Sequence, residues 1–371
     1  MITQPLQAGP VCLIEEERLP FYKAEQFYPV HIGDINKYVA VKVLTRTYAR
    51  SEPAWSRELG VYEHLSRLNS SHVGNAYIRG LYDIFELSNP CGVYRCLVHP
   101  AMHLSINTLR MRARSCRLSE PLLKQTLICL LQARDLLHSE VNIVHTGKIP
   151  CSWRFLCIYI KASNIMLSIE DEAILTEFEK DEQEHPSWRK IVDKNHVRYA
   201  SRKLSLPRND LWGQPVLCDL GEARIGNSHK GNIRPDIYNA PELLFDMPWR
   251  SSADIWNLSP VTMRAVLTDM FRSGISENKH LFNALDENKE YPPSHHVAET
   301  VAYLGLEETR NVFDQNGGVS IPSISMEESE ENLSSQDKQQ FLHFMWSMLQ
   351  WVPEERKTAK ELLDDPWLNS T

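Results

Sequence analysis

Lysine, glutamate, aspartate and asparagine recur in this sequence beside short apolar runs, residue types able to bind phosphate oxygens or a divalent cation. Val39-Ala40-Val41-Lys42 ends a β-branched run on a lysine, and Glu58 follows in Arg57-Glu58-Leu59 on the next helical stretch. A carboxylate beside such an ammonium fixes its position, whereas either charge buried alone is costly. Val216-Leu217-Cys218 is a short apolar strand ending on Asp219-Leu220-Gly221, and Ile160-Lys161-Ala162-Ser163-Asn164 adds a second lysine and an amide. Carboxylate and amide oxygens suit a hard cation, and lysines suit phosphate oxygens. Each feature alone is weak: a surface lysine on an edge strand is the plainer reading of Lys42 by itself.

The elements that must position these groups are legible in outline. Tyr38 to Leu44 reads as a strand, Ser51 to Leu68 as a helix with Ser51 as N-cap, and Gly92 to Val98 as another strand. From about residue 104 the pattern is mainly helical, with long amphipathic segments near 119–138 and 338–350. Strands first and helices afterwards predict an α+β protein with two segregated parts, not an alternating parallel sheet.

Further landmarks follow in order. Val144-His145-Thr146 and Ile160 to Asn164, joined by a single Asp, would read H-T-D-I-K-A-S-N. Ala240-Pro241-Glu242 comes nineteen residues beyond Gly221, then Asp254-Ile255-Trp256, then Arg356 as the natural ion-pair partner of Glu242. With these in hand the chain resembles eukaryotic protein kinases, whose signatures are V-A-I-K, H-R-D-x-K-x-x-N, D-F-G and A-P-E. It resembles the SR-protein kinase-like group in particular, through Glu15 to Tyr22, Pro29 to Gly33, His145-Thr146, Asn278 to Phe282 and Asp365-Pro366-Trp367-Leu368.

The resemblance covers residues 14 to 368 and implies a bilobal kinase fold: an N-terminal tail 1–13, a β-rich N-lobe 14–100 and a mainly helical C-lobe 101–371. It implies ATP and Mg2+ as cofactors and Ser/Thr phosphorylation of Arg/Ser-rich or other basic proteins. Carried over by position, Lys42 binds phosphate, Glu58 braces it and Ala40 roofs the adenine. Backbone from Leu97 to Met102 forms the hinge, Asp219 and Asn164 hold metal, and Lys161 steadies the transferring phosphoryl group.

Three departures bear on activity. The glycine-rich loop is missing, because Gly33-Asp34-Ile35-Asn36-Lys37 runs straight into Tyr38. That removes backbone donors which would cover the phosphates. The catalytic Asp is missing as well: Gly147 to Tyr159 interrupt its place, which falls on Gly147 counted from His145 and on Tyr159 counted from Asn164. Glycine offers no side chain, and a phenol with a pKa of about 10 is a poor proton acceptor. Third, Asp254 to Leu258 begins a family-typical helix but runs into Ser259-Pro260, which predicts a turn or a new helix start. These sharply bounded changes suggest retained introns or mis-joined exons, and the chain as written is expected to be impaired. The alternative is a catalytically inactive pseudokinase scaffold that binds basic partners through an acidic surface.

Composition narrows the remaining classes. The chain has 371 residues, is 42% hydrophobic and 24% charged, and carries a net charge of −8, which disfavours general nucleic-acid affinity. Its eight cysteines form no CxxC pair, so neither a zinc site nor a disulfide scaffold is expected. Met1 to Pro5 lacks a basic n-region, and the most apolar helical stretch, Leu122 to His138, is amphipathic. No signal or membrane span is expected, and a monomer in the cytoplasm or nucleus is. The adjacent His295 and His296 diverge on any helix or strand and are not expected to be metal ligands. Residues 170–184 carry eight acidic residues against one Lys, which reads as a solvated face or loop, or as a dock for an Arg-rich peptide. The segment Glu222 to Ala240 has Ser228 and Tyr238 as its hydroxyls, so little activation by phosphorylation is expected.

Overall fold

The computed structural model describes residues 38–44, 54–89, 92–112, 118–145, 164–192, 197–208, 211–231, 239–267, 281–282, 292–305, 320–329 and 335–370. Contacts divide the chain into two compact units. One comprises Met1–Ser56, Arg79–Leu104 and Met166–Gln214; the other comprises Arg57–Ile78, Ser105–Ile165 and Pro215–Thr371.

The first unit is built on β1 (Val39–Val43), β2 (Asp83–Asn89) and β3 (Gly92–Pro100), antiparallel in the order β1-β3-β2. The central strand carries the core, with Tyr94, Cys96, Leu97 and His99 almost fully buried. In β1, Val39 and Val41 are exposed while Ala40 and Lys42 are partly covered, the two-residue alternation of a sheet with one covered face. The register sets Ala40 opposite His99 and Lys42 opposite Leu97. Directly opposed residues share a face, so Ala40, Lys42 and Leu97 lie on one side of this sheet.

The acidic run between β5 (Ile165–Ile169) and β8 (Trp212–Leu217), which pair with each other, is folded: most of it is α4 (Ala173–Glu184), followed by the hairpin β6 (Arg189–Ile191) and β7 (Val197–Tyr199). A Cβ on Gly213 would lie 2.0 Å from the Ser168 carbonyl oxygen, so the approach of these two segments depends on glycine. Three carboxylates of α4 are bonded inside the unit. Glu182 accepts from Arg202 Nε at 2.6 Å and from the Ser187 amide and hydroxyl at 2.7 and 2.6 Å. Glu177 pairs with Arg208 and accepts from Ser205 Oγ at 3.1 Å, and Glu179 accepts from the Tyr38 hydroxyl at 2.5 Å. Of the two plain readings, a solvated face or a loop, the helix replaces the loop: Glu172, Asp181 and Glu184 are exposed, while Glu182 and Glu177 pair with arginines that return later in the chain, Arg202 and Arg208.

The second unit is helical. It contains α1 (Ala54–Leu68) from Arg57 onward, α2 (Ile106–Arg112) and the long α3 (Glu120–Ser139), then the short strands β4 (Ile143–Val144) and β9 (Arg224–Ile225). Then come α5 (Pro241–Leu244), α6 (Ser252–Leu267), α7 (Pro293–Leu304), α8 (Met326–Ser329), α9 (Ser335–Met348) and α10 (Ala359–Leu363). Leu123, Leu127, Leu130, Leu131 and Leu137 make the buried face of α3. A 3-10 turn, Val73–Tyr77, lies against that helix: a Cβ on Gly74 would fall 2.0 Å from the Gln132 carbonyl oxygen. Phe341, Phe344 and Trp367 pack ring against ring, and Trp249 and Trp256 are fully buried. Among the described residues, Cys96, Cys129 and Cys218 are buried free thiols, and burial pushes the Cys129 thiol up to about 11, keeping it protonated.

Helix α6 departs from the sequence expectation. It runs without interruption from Ser252 to Leu267, through Ser259-Pro260. A proline has no N–H for the carbonyl four residues back, here Trp256. The Ser259 hydroxyl donates to that carbonyl at 2.6 Å, which replaces the missing backbone bond and removes the reason for a turn. No helix among the described residues is long and apolar enough to cross a membrane.

Candidate active site

In the first unit the sequence-predicted residues Ala40, Lys42 and Leu97 share one face of the sheet, with Leu97 1% exposed. His103, just past the expected hinge, is buried: its Nε2 lies 2.8 Å from the Ser205 carbonyl oxygen and its ring meets Trp212 edge-on. The return segment of the acidic insert is thereby fastened to the residues that follow β3.

In the second unit Glu58, Asp219 and Asn164 come together. Glu58 is 2% exposed on α1. A Cβ on Gly221 would meet Asp219 Oδ1 at 3.4 Å and Glu58 Oε2 at 3.5 Å, so both carboxylates face the same glycine. Asn164 Nδ2 lies 3.5 Å from Asp219 Oδ2, and the Asn164 carbonyl accepts the Cys218 amide at 2.7 Å, which ties the two segments together. Asp219 has φ 64°, a left-handed backbone that aspartate tolerates better than most residues. Such a conformation held beside other polar groups is a mark of a functional site.

These residues fit a hard divalent cation. The Asp219 carboxylate with the Asn164 amide oxygen supplies the oxygen donors Mg2+ prefers. Among the described residues no group of three or more His, Cys, Asp or Glu gathers to hold a metal alone. Phosphate oxygens and water would complete the shell.

The strand before the interrupted loop is firmly placed. β4 pairs with β9, Ile143 opposite Ile225 and Val144 opposite Arg224. The backbone N–H of His145 donates to Asp254 Oδ2 at 2.6 Å, and His138 Nε2 lies 3.3 Å from the same oxygen. Asp254 is fully buried near Arg134, whose pKa burial lowers and Asp254 partly restores. Thr146 to Ser163, including Lys161 and the whole of Gly147 to Tyr159, lie outside the described residues, as do Gly33 to Lys37.

Beyond Gly221 the chain is anchored at both ends of its described part. Arg57 Nη2 donates to both oxygens of Glu222, at 3.2 and 3.0 Å. The Arg224 guanidinium sits 5.3 Å over Trp249, and His229 pairs backbone to backbone with Trp249. Glu242 of Ala240-Pro241-Glu242 receives two bonds of 2.7 Å from Arg356, the pairing the sequence suggested. Sequence reasoning missed the roles of Asp254, Arg57 and Glu222. Only Asp254-Ile255-Trp256 carried a signal, as a motif whose bonding partner was not evident.

With this geometry in view, comparison with known proteins places the chain. No family profile matches it. A serine/threonine protein kinase of Aspergillus fumigatus is 34% identical over 398 residues, covering 96% of this chain and 91% of the relative. The serine/threonine-protein kinase SKY1 of Saccharomyces cerevisiae is 27% identical over 189 residues, 46% of this chain and 24% of that one. Protein kinase dsk1 of Schizosaccharomyces pombe is 20% identical over 411 residues, 84% of this chain and 72% of its own length. The chain belongs to the serine/threonine protein kinases. Its strand-rich N-terminal part and helical C-terminal part are the α+β kinase architecture that the motifs implied.

Proposed function

We propose that this chain is a Mg2+- and ATP-binding member of the SR-protein kinase-like group whose chemical step is impaired by the residues that replace its catalytic Asp. The convergence of Glu58 and Asp219 on Gly221, with Asn164 beside Asp219, carries the binding half of this reading. In it, Lys42 holds the phosphates with Glu58 as its carboxylate partner, Asp219 and Asn164 hold the cation, and Ala40 and the backbone near Leu97 border the adenine. Mg2+·ATP would supply the phosphoryl group to a serine of an Arg/Ser-rich protein. Lys161 would neutralise charge on that group, which is how phosphoryl transfer is chiefly catalysed.

The other half is the absent proton acceptor. A serine hydroxyl needs one within about 3 Å, and neither Gly147 nor Tyr159 supplies a carboxylate. The scaffold alternative loses support, because Glu177, Glu179 and Glu182 of the acidic insert are committed to Arg208, Tyr38 and Arg202.

The test compares the chain with a variant in which a single Asp replaces Gly147 to Tyr159. Calorimetry with Mg2+·ATP should show binding by both, abolished by Asp219→Ala. Transfer of labelled phosphate to an Arg-Ser repeat peptide should appear with the variant and be at least about a hundredfold weaker with the parent. Absence of Mg2+·ATP binding by both proteins would defeat the reading.

A further inference from the structure

We propose that Glu222 is a positioning residue: through Arg57 it fixes helix α1, and with it Glu58, against the strand that precedes the interrupted catalytic loop. Its effect on nucleotide rests on the functional reading above; its effect on the helix does not.

The geometry forms an unbroken path. Glu58 and Arg57 are neighbours on α1, so a bond that holds one guanidinium sets the rotation of the turn carrying the other side chain. Arg57 Nη2 bridges both oxygens of Glu222 from 165 residues away in sequence. Glu222 immediately follows Gly221 and stands two residues before Arg224, where β9 pairs with β4, and Val144 of β4 leads directly into His145. One carboxylate therefore joins the helix bearing Glu58, the segment bearing Asp219 and the strand leading to the catalytic loop.

A second contact supports the arrangement from the other end of the helix. His64 Nε2 lies 3.0 Å from the Val141 carbonyl oxygen, at the turn into β4. These two side chains, seven residues apart on α1, both bond to residues of the helical unit.

The charges around Glu222 make its carboxylate the essential member. Arg224 is pushed below its ordinary pKa mainly by burial and then by Arg57, with Glu222 acting in the opposite sense. Without the carboxylate, two guanidinium groups repel each other across the junction of α1 and β9. The Arg57–Glu222 pair is partly covered, with side-chain exposures of 36% and 24%, so solvent screens it only in part.

The experiment uses the full chain and the variants Arg57→Glu, Glu222→Arg and the double reversal. Hydrogen–deuterium exchange of peptides spanning residues 57–68 reads the helix, and titration with a fluorescent ATP analogue in Mg2+ reads the nucleotide. Each single reversal should raise exchange in α1 by about tenfold and weaken analogue binding by about fivefold, while the double reversal restores both to within about threefold. Should a reversal fail to fold, the isosteric Glu222→Gln takes its place, with a smaller loosening confined to α1 and β9. Wild-type exchange in both single variants, or no recovery in the double, would overturn the proposal. If the unaltered chain binds no nucleotide, the functional reading fails, and the exchange pattern still decides the role of Glu222.

Discussion

Arg356 and Glu242 meet fork to fork inside the helical unit, with both Nη atoms 2.7 Å from a carboxylate oxygen and side-chain exposures of 0% and 2%. The guanidinium also donates to the carbonyls of Gln350 and Ser252 and lies 5.0 Å from the centre of the Trp256 ring. Five donors in a plane match this site, which a lysine cannot do.

Breaking such a pair from one side strands a charge in a dry environment. Glu242→Gln and Arg356→Lys should each destabilise the fold, by about 3 kcal/mol or more for the first. Urea denaturation followed by tryptophan fluorescence checks this. Glu242→Leu combined with Arg356→Met should cost less than the larger single loss, because no unpaired charge remains. A double variant that loses as much as the two singles together would show that the pair contributes through shape alone.

His229 makes the stretch beyond Gly221 sensitive to pH. Its ring packs 4.8 Å from Trp249 and bonds the Gly226 carbonyl at 2.9 Å. Burial lowers its pKa most, Arg224 adds to that, and the Gly226 bond opposes it. A histidine whose folded pKa lies below its unfolded value contributes stability that is complete above the unfolded value and is lost as pH falls toward the folded one. Hydrogen exchange of residues 224–231 should therefore accelerate as pH drops below about 6.5, after correction for intrinsic rates. His229→Gln, which keeps a donor for Gly226, should flatten that dependence.

Glu182 has the acid-side counterpart in the other unit. Burial raises its pKa, but the Ser187 hydroxyl and amide and the Arg202 guanidinium together outweigh it and leave the group below its ordinary value. The sign then runs as for any depressed carboxylate: the contribution is present above about pH 4.3 and disappears as pH falls through the lower folded value. Exchange across residues 173–202 should report this loss between about pH 5 and 3. Arg202→Ala should move the loss to higher pH and raise binding of an Arg-rich peptide, since it frees a carboxylate of α4.

That Glu58, Asp219 and Asn164 come together was suggested by the sequence because each stands inside a short local element where residue type and spacing are visible. Even the Glu242–Arg356 pair, 114 residues apart, was legible, since two recognisable segments named each other. Arg57–Glu222, the insert's Arg202–Glu182 pair and the bond from Asp254 to His145 were not. In each, the partners are ordinary charged or polar groups that only the tertiary fold brings within 3 Å. The pairing within the acidic run was hidden for the same reason: a one-dimensional count shows its charges and omits the arginines that return to some of them.

Ser259-Pro260 failed differently, because a rule about proline was applied without its neighbour. The rule rests on a carbonyl left without a donor, and the serine hydroxyl supplies one to Trp256 at 2.6 Å. Thr262 makes the same kind of backbone bond to Leu258 at 2.8 Å, so this stretch of α6 is held by side-chain hydroxyls as well as by its ladder. Ser259→Ala should then cost about 1–3 kcal/mol, the range for a buried acceptor left unsatisfied. Pro260→Ala in that background restores a backbone N–H four residues beyond Trp256 and should recover most of the loss. In the unaltered chain the same Pro260→Ala change meets a carbonyl that already has a donor, so its benefit should be smaller. That difference, measured as a coupling between neighbouring positions by thermal unfolding, identifies the hydroxyl as the reason α6 continues; equal effects of Pro260→Ala in both backgrounds would assign its continuity to packing around Trp256 instead.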